Sequence, residues 1–337
     1  MGEMTRRSAL PSAHDVARLA GVSQAAVSRA YTPGASIAEP TRTKVFAAAK
    51  QLGYRPNLHA RSLITGRSGI VGVVIGNPRN TFYLEALDAL SMGLAREGLH
   101  LLVFTARGGR GTDQLVDSLL QFRVDSLLLM SARMSSELAG QCRANGIPVI
   151  YFNRPPEPGE AFPSVTSANR IGAATVAQHL YDQGYRNLAL IAGADRSATT
   201  LERQEAFLAK VRELGLPRPA IELGGFGRAA QPAVRALLSA PSRPDAIFCT
   251  TDMIGLAAVE VARFEFGLQP GRDLGVAGFD DIEGASWLSF SLTTYSQPLG
   301  PMIDKTIEII RSPKDFADGA HFAIEGELIV RASTRRE

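Results

Sequence analysis

Near the start of the chain, four residues have the chemistry and the spacing to read the edges of base pairs. They are Gln24, Ala25, Ser28 and Arg29, and residues three or four positions apart share one face of an α-helix. The amide of Gln24 matches the edge of adenine, and the guanidinium of Arg29 matches the edge of guanine in the major groove. The pattern therefore predicts a helix whose outward face contacts DNA bases.

The residues around these four predict two short helices joined by a tight turn. Ser12 is suited to cap a first helix that ends at Gly21, and Ser23 is suited to cap a second helix over residues 24–31. A third helix follows and ends at Gly53. The first two helices have the order of a helix-turn-helix, although an αα-hairpin in a purely structural helical core shows the same pattern.

The distribution of charge favours the DNA-binding interpretation. Residues 1–67 contain ten Lys or Arg and three Asp or Glu, a balance of +7, whereas residues 68–337 contain 26 and 30, a balance of −4. The net charge of +3 therefore combines a basic head with an acidic body. Basic side chains neutralise phosphates and displace their counterions, which supplies most of the sequence-independent affinity for DNA. We expect the head to bind double-stranded DNA.

The head carries several short motifs in a fixed order. They are DVA at residues 15–17, AGVS at 20–23, VSR at 27–29, TR at 41–42 with Val45, LGYRPN at 52–57 and ARSL at 60–63. In this order they resemble the head of the lactose-repressor (LacI/GalR) family of bacterial transcription regulators. The resemblance implies an all-α helix-turn-helix head at residues 12–55 that binds operator DNA. We expect contacts with the DNA backbone from Ser12, Ser23 and Tyr54.

Residues 56–68 are expected to form a hinge between the head and the body. A segment of this length is too short to hold a helix by itself in water. The family resemblance implies a hinge helix that pairs with its twin in the minor groove, where Leu63 would wedge between base pairs and kink the duplex. We expect minor-groove contacts from Asn57, Ala60, Arg61 and Leu63. A plain interdomain linker is the alternative.

Beyond the hinge, apolar runs of strand length alternate with helical stretches, from residues 70–75 to residues 274–277. This alternation predicts parallel sheets with helices on both faces, and about 270 residues are enough for two domains. The resemblance implies an α/β, two-lobed core like that of periplasmic binding proteins. We expect the first lobe at residues 69–165 plus about 296–320, and the second lobe at residues 166–295 plus about 321–334.

Polar residues cluster where the predicted strands end, which is where parallel α/β sheets bind ligands. Carboxylate, amide and guanidinium groups beside an aromatic ring suit a polyol, because its hydroxyls need hydrogen-bond partners and its ring packs on apolar surface. Arg154 and Arg203 have the geometry to share a carboxylate, which favours an acidic sugar over a neutral one. From these loops and the family resemblance, the candidate effector-binding residues are Asn80, Phe82, Tyr83, Asn153, Arg154, Arg203, Phe226, Thr251 and Asp280.

Three positions of the body depart from the family pattern. Ala168 stands in place of an Asp, Thr251 in place of an Asn, and Ala206 in place of a Gly. We therefore expect the effector pocket to differ from that of the better-known sugar repressors.

Other candidate chemistry is weak in this sequence. The glycine-rich stretch at residues 107–111 lacks the spacing of a phosphate-binding loop, and the five histidines lack metal-ligand spacing. Cys142 and Cys249 are far apart in the chain and are typical of reduced thiols in a cytosolic protein. No pairing of a nucleophile with a base suggests an enzyme, and we expect neither a metal nor a cofactor.

The two ends of the chain complete the prediction. Residues 1–11 lack the apolar core of a secretory signal and are expected to be a disordered basic extension, and no stretch approaches the ~18 apolar residues of a membrane span. No tetramerisation helix follows Thr334, which favours a homodimer that reads an approximately palindromic operator.

The sequence as a whole predicts a cytoplasmic transcription regulator, a repressor that is controlled by a sugar or sugar acid bound between two lobes. Two other classes share an α/β core of this kind. One is a sugar-binding receptor without a DNA role, and the other is an enzyme with a nucleotide-binding fold. The basic head and the lack of a secretory signal argue against the receptor. The enzyme is disfavoured because the sequence shows neither a nucleophile-base pair nor a phosphate-binding loop.

Overall fold

The structure is a computed structural model that describes residues 11–32, 34–55, 67–106, 111–155, 161–194 and 196–335. The chain divides into two compact units, residues 1–68 and residues 69–337. The predicted hinge residues Asn57, Ala60, Arg61 and Leu63 lie outside the described residues, as does nearly all of the predicted extension at residues 1–11.

The described part of the first unit contains three helices, α1 (Ala13–Ala20), α2 (Gln24–Ala30) and α3 (Glu39–Leu52). Ser12 forms a capping box at α1, because its hydroxyl accepts the N–H of Asp15 and the Asp15 carboxylate accepts the N–H of Ser12. Gly21 follows α1 with φ of +66°, a left-handed conformation that glycine adopts without strain. Both predicted ends of the first helix are confirmed.

The other two helices of the first unit also begin and end close to the predicted residues. The Ser23 hydroxyl accepts a main-chain N–H of α2, and α2 ends at Ala30, one residue before the predicted end. Ala38 provides no side-chain cap for α3, although Pro40 stands in its first turn, where the missing N–H costs nothing. Gly53 ends α3 in the left-handed conformation, as predicted.

A small apolar core holds the three helices together. On α2, only Val27 and Ala30 are fully buried, so the rest of this helix faces outward or packs at the edge of the core. The buried apolar residues of this unit are Val16, Ala17, Val27, Ala30, Val45, Ala48 and Ala49.

Twelve strands form two six-stranded sheets in the second unit. They are β1 (Ile70–Ile75), β2 (His100–Thr105), β3 (Ser126–Met130), β4 (Val149–Phe152), β5 (Ser164–Ser167), β6 (Leu188–Gly193), β7 (Ala220–Gly224), β8 (Ala246–Cys249), β9 (Gly275–Asp280), β10 (Thr293–Ser296), β11 (His321–Ile324) and β12 (Glu327–Ile329). The helices of this unit are α4 (Phe82–Arg96), α5 (Thr112–Gln121), α6 (Ser136–Ala144), α7 (Asn169–Asp182), α8 (Ala198–Glu213), α9 (Gln231–Leu238), α10 (Asp252–Phe264), the short α11 (Glu283–Ser286) and α12 (Leu299–Arg311).

The first sheet has the strand order β11-β5-β4-β3-β1-β2, and all of its neighbours are parallel. In its centre, Val73 lies opposite Val103 of β2 and Leu128 of β3. The central strands β3 and β4 are buried along their whole length, which explains why they read as continuous apolar runs in the sequence. This sheet and the helices that cover it form the first lobe.

The second sheet has the strand order β12-β10-β9-β8-β6-β7. Its strands are parallel except β12, which runs antiparallel to β10. Strands β6, β8 and β9 are buried throughout and form its centre. This sheet and its helices form the second lobe, so the predicted two-lobed α/β core with parallel sheets is confirmed.

The strand pairing corrects part of the predicted lobe boundaries. Strand β11 pairs with β5 in the first sheet, with His321 opposite Ser164, although residues 321–324 were assigned to the second lobe from the sequence. Strand β5 likewise continues past the predicted boundary at residue 165. Both strands are four residues long and neither has a continuous apolar run, so the sequence pattern did not reveal which sheet they join.

Candidate functional site

The four residues predicted to read DNA bases lie together on the exposed side of α2. Gln24, Ala25, Ser28 and Arg29 are all exposed, because Val27 and Ala30 turn the opposite side of the helix into the core. The Arg29 Nε donates to the main-chain oxygen of Ala25, one helical turn earlier, at 3.4 Å. The geometry supports the predicted face, and its contact with DNA stays a prediction.

The residues predicted to contact the DNA backbone have structural roles in the head. The hydroxyls of Ser12 and Ser23 cap α1 and α2, which places both at helix N-termini, where main-chain N–H groups favour anions such as phosphate. Tyr54 is half-buried, with its ring 6.1 Å from the ring of Tyr31. These positions are compatible with phosphate contacts, which remain predicted.

In the second unit, a polar cavity lies between the two lobes. It contains about 290 Å³ of empty space, part of which is open to solvent. Strands of both sheets end at it, since residues just beyond β1, β3 and β4 face residues at or beyond the ends of β6 to β9. The lining residues are Asn77, Asn80, Tyr83, Ser131, Asn153, Ser197, Thr199, Thr200, Arg203, Phe226, Thr251 and Asp280.

A buried ion pair forms the floor of this cavity on the side of the second lobe. The Nη1 of Arg203 lies 3.2 Å from Oδ1 of Asp280, and both side chains are at most 3% exposed. Arg203 also donates from Nε to Oδ1 of Asn169 at 2.9 Å and from Nη1 to the main-chain oxygen of Thr250 at 2.8 Å. Its guanidinium lies 3.6 Å from the centre of the Phe279 ring. These contacts hold the guanidinium rigidly in one plane.

Asp280 joins the two lobes through its other oxygen. Its Oδ2 accepts a hydrogen bond of 3.0 Å from the amide of Asn80, which belongs to the first lobe, and its Oδ1 accepts one of 2.6 Å from Gln297. Burial raises the pKa of Asp280, while Arg203 and the amides of Asn80 and Gln297 act in the opposite direction. The carboxyl therefore contacts residues of both lobes and Arg203, which among the described residues is the one arginine on the cavity lining.

Two buried acceptors on the cavity lining have no hydrogen-bond partner in the described structure. They are Oδ1 of Asn153 and Oγ1 of Thr251. The other end of the Asn153 amide donates to the Tyr83 hydroxyl at 3.2 Å, and burial raises the pKa of Tyr83 to about 12, so that its hydroxyl stays protonated. Buried polar atoms without partners are costly, and hydroxyl groups of a ligand would satisfy both acceptors.

Two predicted effector residues do not line the cavity. Phe82 is buried in the first lobe, with its ring stacked at 6.5 Å on the ring of Phe152. The Arg154 guanidinium lies 5.1 Å from the centre of the Tyr151 ring. The predicted pair of arginines for a ligand carboxylate is therefore not assembled. Of these two arginines only Arg203 is on the described lining of the cavity, and its guanidinium is already paired with the carboxylate of Asp280. This pairing favours a neutral ligand over an acidic one.

Sequence reasoning also missed five lining residues. Asn77 and Ser131 follow strands β1 and β3, and the other three lie at the beginning of α8. The rule that ligands bind at the carboxyl ends of parallel strands would have selected the first two. Ser197 had a second signal, because it caps α8 and is followed by the remaining two residues, Thr199 and Thr200.

A second buried carboxyl, that of Asp252, lies behind the cavity and makes the stability of the core depend on pH. Burial raises the pKa of Asp252, and the neighbouring Asp280 raises it further, whereas hydrogen bonds from Thr294 and from the Ile282 N–H act in the opposite direction. In the unfolded chain an aspartate ionises near pH ~4. At pH values between that of the unfolded aspartate and the raised pKa of folded Asp252, folding takes up a proton. The free energy of unfolding therefore decreases as the pH rises through this interval.

We expect wild-type protein to lose thermal stability relative to Asp252→Asn as the pH increases from about 5 to about 9. The amide of the variant carries no ionisable proton, so the difference between the two melting curves reports the contribution of Asp252 together with its interaction with Asp280. Differential scanning calorimetry at several pH values measures the difference in melting temperature between wild type and the variant. A difference in melting temperature that stays constant over this range would contradict the proton uptake.

The described residues form neither a membrane-spanning helix nor a metal site. No described helix is both long and apolar enough to cross a membrane. Likewise, within the described ranges, no group of three or more His, Cys, Asp or Glu is placed to hold a metal ion.

Comparison with known proteins matches both units of the chain. A sequence model described as "Bacterial regulatory proteins, lacI family" matches residues 12–57, and one described as "Periplasmic binding proteins and sugar binding domain of LacI family" matches residues 68–310. The ribose operon repressor of Escherichia coli (strain K12) is 30% identical over 308 residues, which cover 88% of this chain and 91% of that protein. The regulator CelR of Thermobifida fusca is 29% identical over 334 residues, covering 96% of this chain and 98% of CelR.

Solved structures show the same fold. The Lac repressor dimer bound to operator and the anti-inducer ONPF matches with a TM-score of 0.85 at 23% identity, covering 96% of this chain and 99% of that chain. The CelR-cellobiose complex matches with a TM-score of 0.70 at 27% identity, with the same coverage. The helical head and the two-lobed core thus occur together in known proteins.

Proposed function

The chain belongs to the LacI family of bacterial regulatory proteins, and on that basis we propose that it is a repressor that binds operator DNA as a homodimer and responds to a small neutral sugar. The observation that carries the effector assignment is the cavity between the lobes. It combines the Arg203–Asp280 pair with the open acceptors of Asn153 and Thr251. This set of groups binds hydroxyls from several directions, which is what a polyol requires.

The names of similar proteins support a sugar as the class of effector. One relative is named as a ribose operon repressor, and the CelR structure contains cellobiose. The similar proteins are regulators rather than enzymes, and we assign no catalytic activity to this chain.

The Asn80–Asp280 hydrogen bond supports a mechanism for the response. It joins a loop of the first lobe directly to a strand end of the second lobe. A ligand that bonds to Asp280 competes with Asn80 and thereby changes the spacing of the lobes. Residues 56–68 connect this core to the head, so a shift in the populations of lobe arrangements alters how two heads are presented to cytoplasmic DNA.

An exposed apolar patch on one side of the core supports the homodimer. Leu288 is 97% exposed and Phe264 is 78% exposed, and a hydrogen bond from Arg263 to the main-chain oxygen of Ser289 brings the end of α10 beside this loop. The Glu85 carboxylate of α4 accepts the N–H of Glu283, which places α4 next to the same loop. We call the exposed apolar residues of this region the side patch: Leu84, Phe264, Trp287 and Leu288.

A patch of this kind on a protein that reads palindromic DNA is best explained by a second copy of the chain. Contiguous exposed apolar surface marks an interaction site, and a two-fold dimer presents two heads to the two halves of an operator. The side patch includes residues of both lobes, so a dimer formed through it would respond to the spacing of the lobes.

The proposal is tested by selecting a preferred site from a randomised DNA library and titrating it with full-length protein. We expect the affinity for the selected site to be at least about 10³-fold above that for random DNA. We also expect one of three sugars to weaken the complex: D-ribose, cellobiose, or D-xylulose, whose furanose form is bound in a similar structure from Alkaliphilus metalliredigens. Arg29→Ala should lose about 10-fold to 100-fold in affinity for the selected site, because a bidentate base contact contributes about 1–3 kcal/mol. Lys50→Ala removes the same charge elsewhere on the head and serves as the matched control.

Two results would count against this function. One is equal affinity for the selected site and for random DNA, which would remove the role in sequence recognition. The other is a specific complex that none of the three sugars weakens or strengthens, which would remove the proposed effector class and leave the DNA role intact.

A further inference from the structure

Asp252 does not line the cavity, yet its contacts converge on the turn that carries Asp280. It is the first residue of α10 and is completely buried. Its Oδ2 accepts the main-chain N–H of Ile282 at 3.0 Å, and its Oδ1 accepts the hydroxyl of Thr294 at 2.6 Å. The Thr294 oxygen in turn lies 3.4 Å from the N–H of Asp281. One carboxyl therefore holds the turn after β9 at two successive N–H groups, directly and through Thr294.

The turn needs such support because its backbone is strained. Asp280 has φ of +130° and Asp281 has φ of +57°, so two consecutive residues with side chains occupy conformations that favour glycine. Strained conformations persist only where the surrounding structure over-determines them. Arg331 provides a second support, through an ion pair of 2.8 Å with Asp281.

The space that Asp252 occupies exists because residue 278 is glycine. A Cβ on Gly278 would lie 2.0 Å from Oδ1 of Asp252. Among the described residues no Lys or Arg forms an ion pair with Asp252, since Arg203 pairs with Asp280 and Arg331 pairs with Asp281. Asp252 is thus buried without a cationic partner among the described residues. Its carboxyl accepts hydrogen bonds from the turn at Ile282 and from Thr294 on β10.

We infer that Asp252 is a positioning residue of the effector site, which holds the strained turn so that the Asp280 carboxylate meets Arg203, Asn80 and the ligand. This inference rests on the proposed function in so far as the cavity binds a sugar. Its structural part, the hold on the turn, stands on the contacts of Asp252 alone. Removing the carboxyl frees the N–H of Ile282 and takes away the acceptor of the Thr294 hydroxyl, whose oxygen holds the N–H of Asp281. The turn can then leave the conformation that presents Asp280.

Hydrogen exchange of the ligand-free, full-length protein tests the hold on the turn. In Asp252→Ala we expect faster exchange in peptides that cover residues 279–288, with little change elsewhere in the core. In Asp252→Asn exchange should stay close to that of wild type, because an amide oxygen can accept the Ile282 N–H while the amide NH₂ donates to Thr294. Should the alanine variant fail to fold, Thr294→Val removes the link to Asp281 alone and should accelerate exchange over the same residues.

A matched control distinguishes positioning from general loss of stability. Asp245 also accepts two main-chain N–H groups, those of Arg186 and Asn187, and does not line the cavity. We expect Asp245→Ala to accelerate exchange around residues 186–187 only. Equal acceleration throughout the core in Asp252→Ala, or unchanged exchange over residues 279–288, would overturn the inference.

Calorimetric titration with D-ribose, cellobiose and D-xylulose tests the consequence for binding. Asp252→Ala should weaken the binding of the sugar that wild type accepts by at least about tenfold, whereas Asp252→Asn and Asp245→Ala should stay within a few-fold of wild type. Undiminished affinity in Asp252→Ala would overturn the role in the site. If wild type binds none of the three sugars, the proposed effector class fails, and the exchange measurement still decides whether Asp252 holds the turn.

Discussion

Replacing Leu288 by lysine is expected to convert the protein into a monomer and to lower its affinity for a palindromic operator by about 10²-fold to 10⁴-fold, the range by which linking two binding modules raises avidity. Leu288 is 97% exposed in the single chain and lies in the side patch with Trp287 and Phe264. In a two-fold dimer each substitution occurs twice, so two lysine charges would be buried at one interface without partners. Uncompensated buried charges are strongly unfavourable.

Analytical ultracentrifugation measures the loss of the dimer, and fluorescence anisotropy with labelled operator measures the loss of affinity. Leu223→Lys is the matched control, because Leu223 is 51% exposed on edge strand β7, outside the side patch. It should leave both properties unchanged. A Leu288→Lys protein that sediments as a dimer and binds operator normally would show that the side patch is not the dimer interface.

Replacing Arg203 by alanine is expected to abolish the rise in melting temperature that a bound sugar causes. A ligand at 100 times its dissociation constant stabilises the folded state by about 2.7 kcal/mol, so the rise is readily measured in wild type. The substitution removes the donor beside Asp280 and leaves acceptors on Asp280, Asn169 and Thr250 without their partner. Breaking a buried ion pair in this way costs about 3–5 kcal/mol of stability as well.

Two further variants separate the loss of binding from the loss of stability. Arg203→Lys keeps the positive charge but lacks the planar group that bonds to Asn169 and Asp280 together, so it should retain more stability than the alanine variant and still bind sugar poorly. Arg235→Ala breaks an exposed ion pair with Glu265 and should leave the sugar-induced rise intact. An unchanged rise in Arg203→Ala would remove this residue from the effector site.

The head shows how far local sequence signals reach. The caps at Ser12 and Ser23 and the glycines after α1 and α3 are local signals. With them the sequence predicted both ends of α1 and α2, and the end of α3, to within one residue. These signals act within one or two helical turns, so they can be read without knowing what the helix packs against. The outward face of α2 follows from the burial of Val27 and Ala30 by the same local reasoning.

Short strands of the core were harder to predict because they lack a distinctive pattern. The apolar run of β1 was predicted at residues 70–75, the same bounds that the structure has. Strands β5 and β10, with the sequences SVTS and TTYS, were missed because their buried residues are largely polar. Their hydroxyls are satisfied by partners far away in the chain, such as Arg331 and Thr334 for Thr293. Long-range partners of this kind leave no local signature.

The sequence by itself determined the class of the protein, because capping residues, charge distribution and apolar periodicity act over short distances along the chain. It also identified most of the cavity through the residues at strand ends. Only the tertiary structure decided which polar groups meet. In the structure, Phe82 and Arg154 do not line the cavity. Arg203 contacts Asp280, which is 77 positions away in the chain, and Asn80 of the other lobe donates to the same carboxylate. Such contacts depend on the packing of two sheets against each other, and short-range sequence patterns carry no information about that packing.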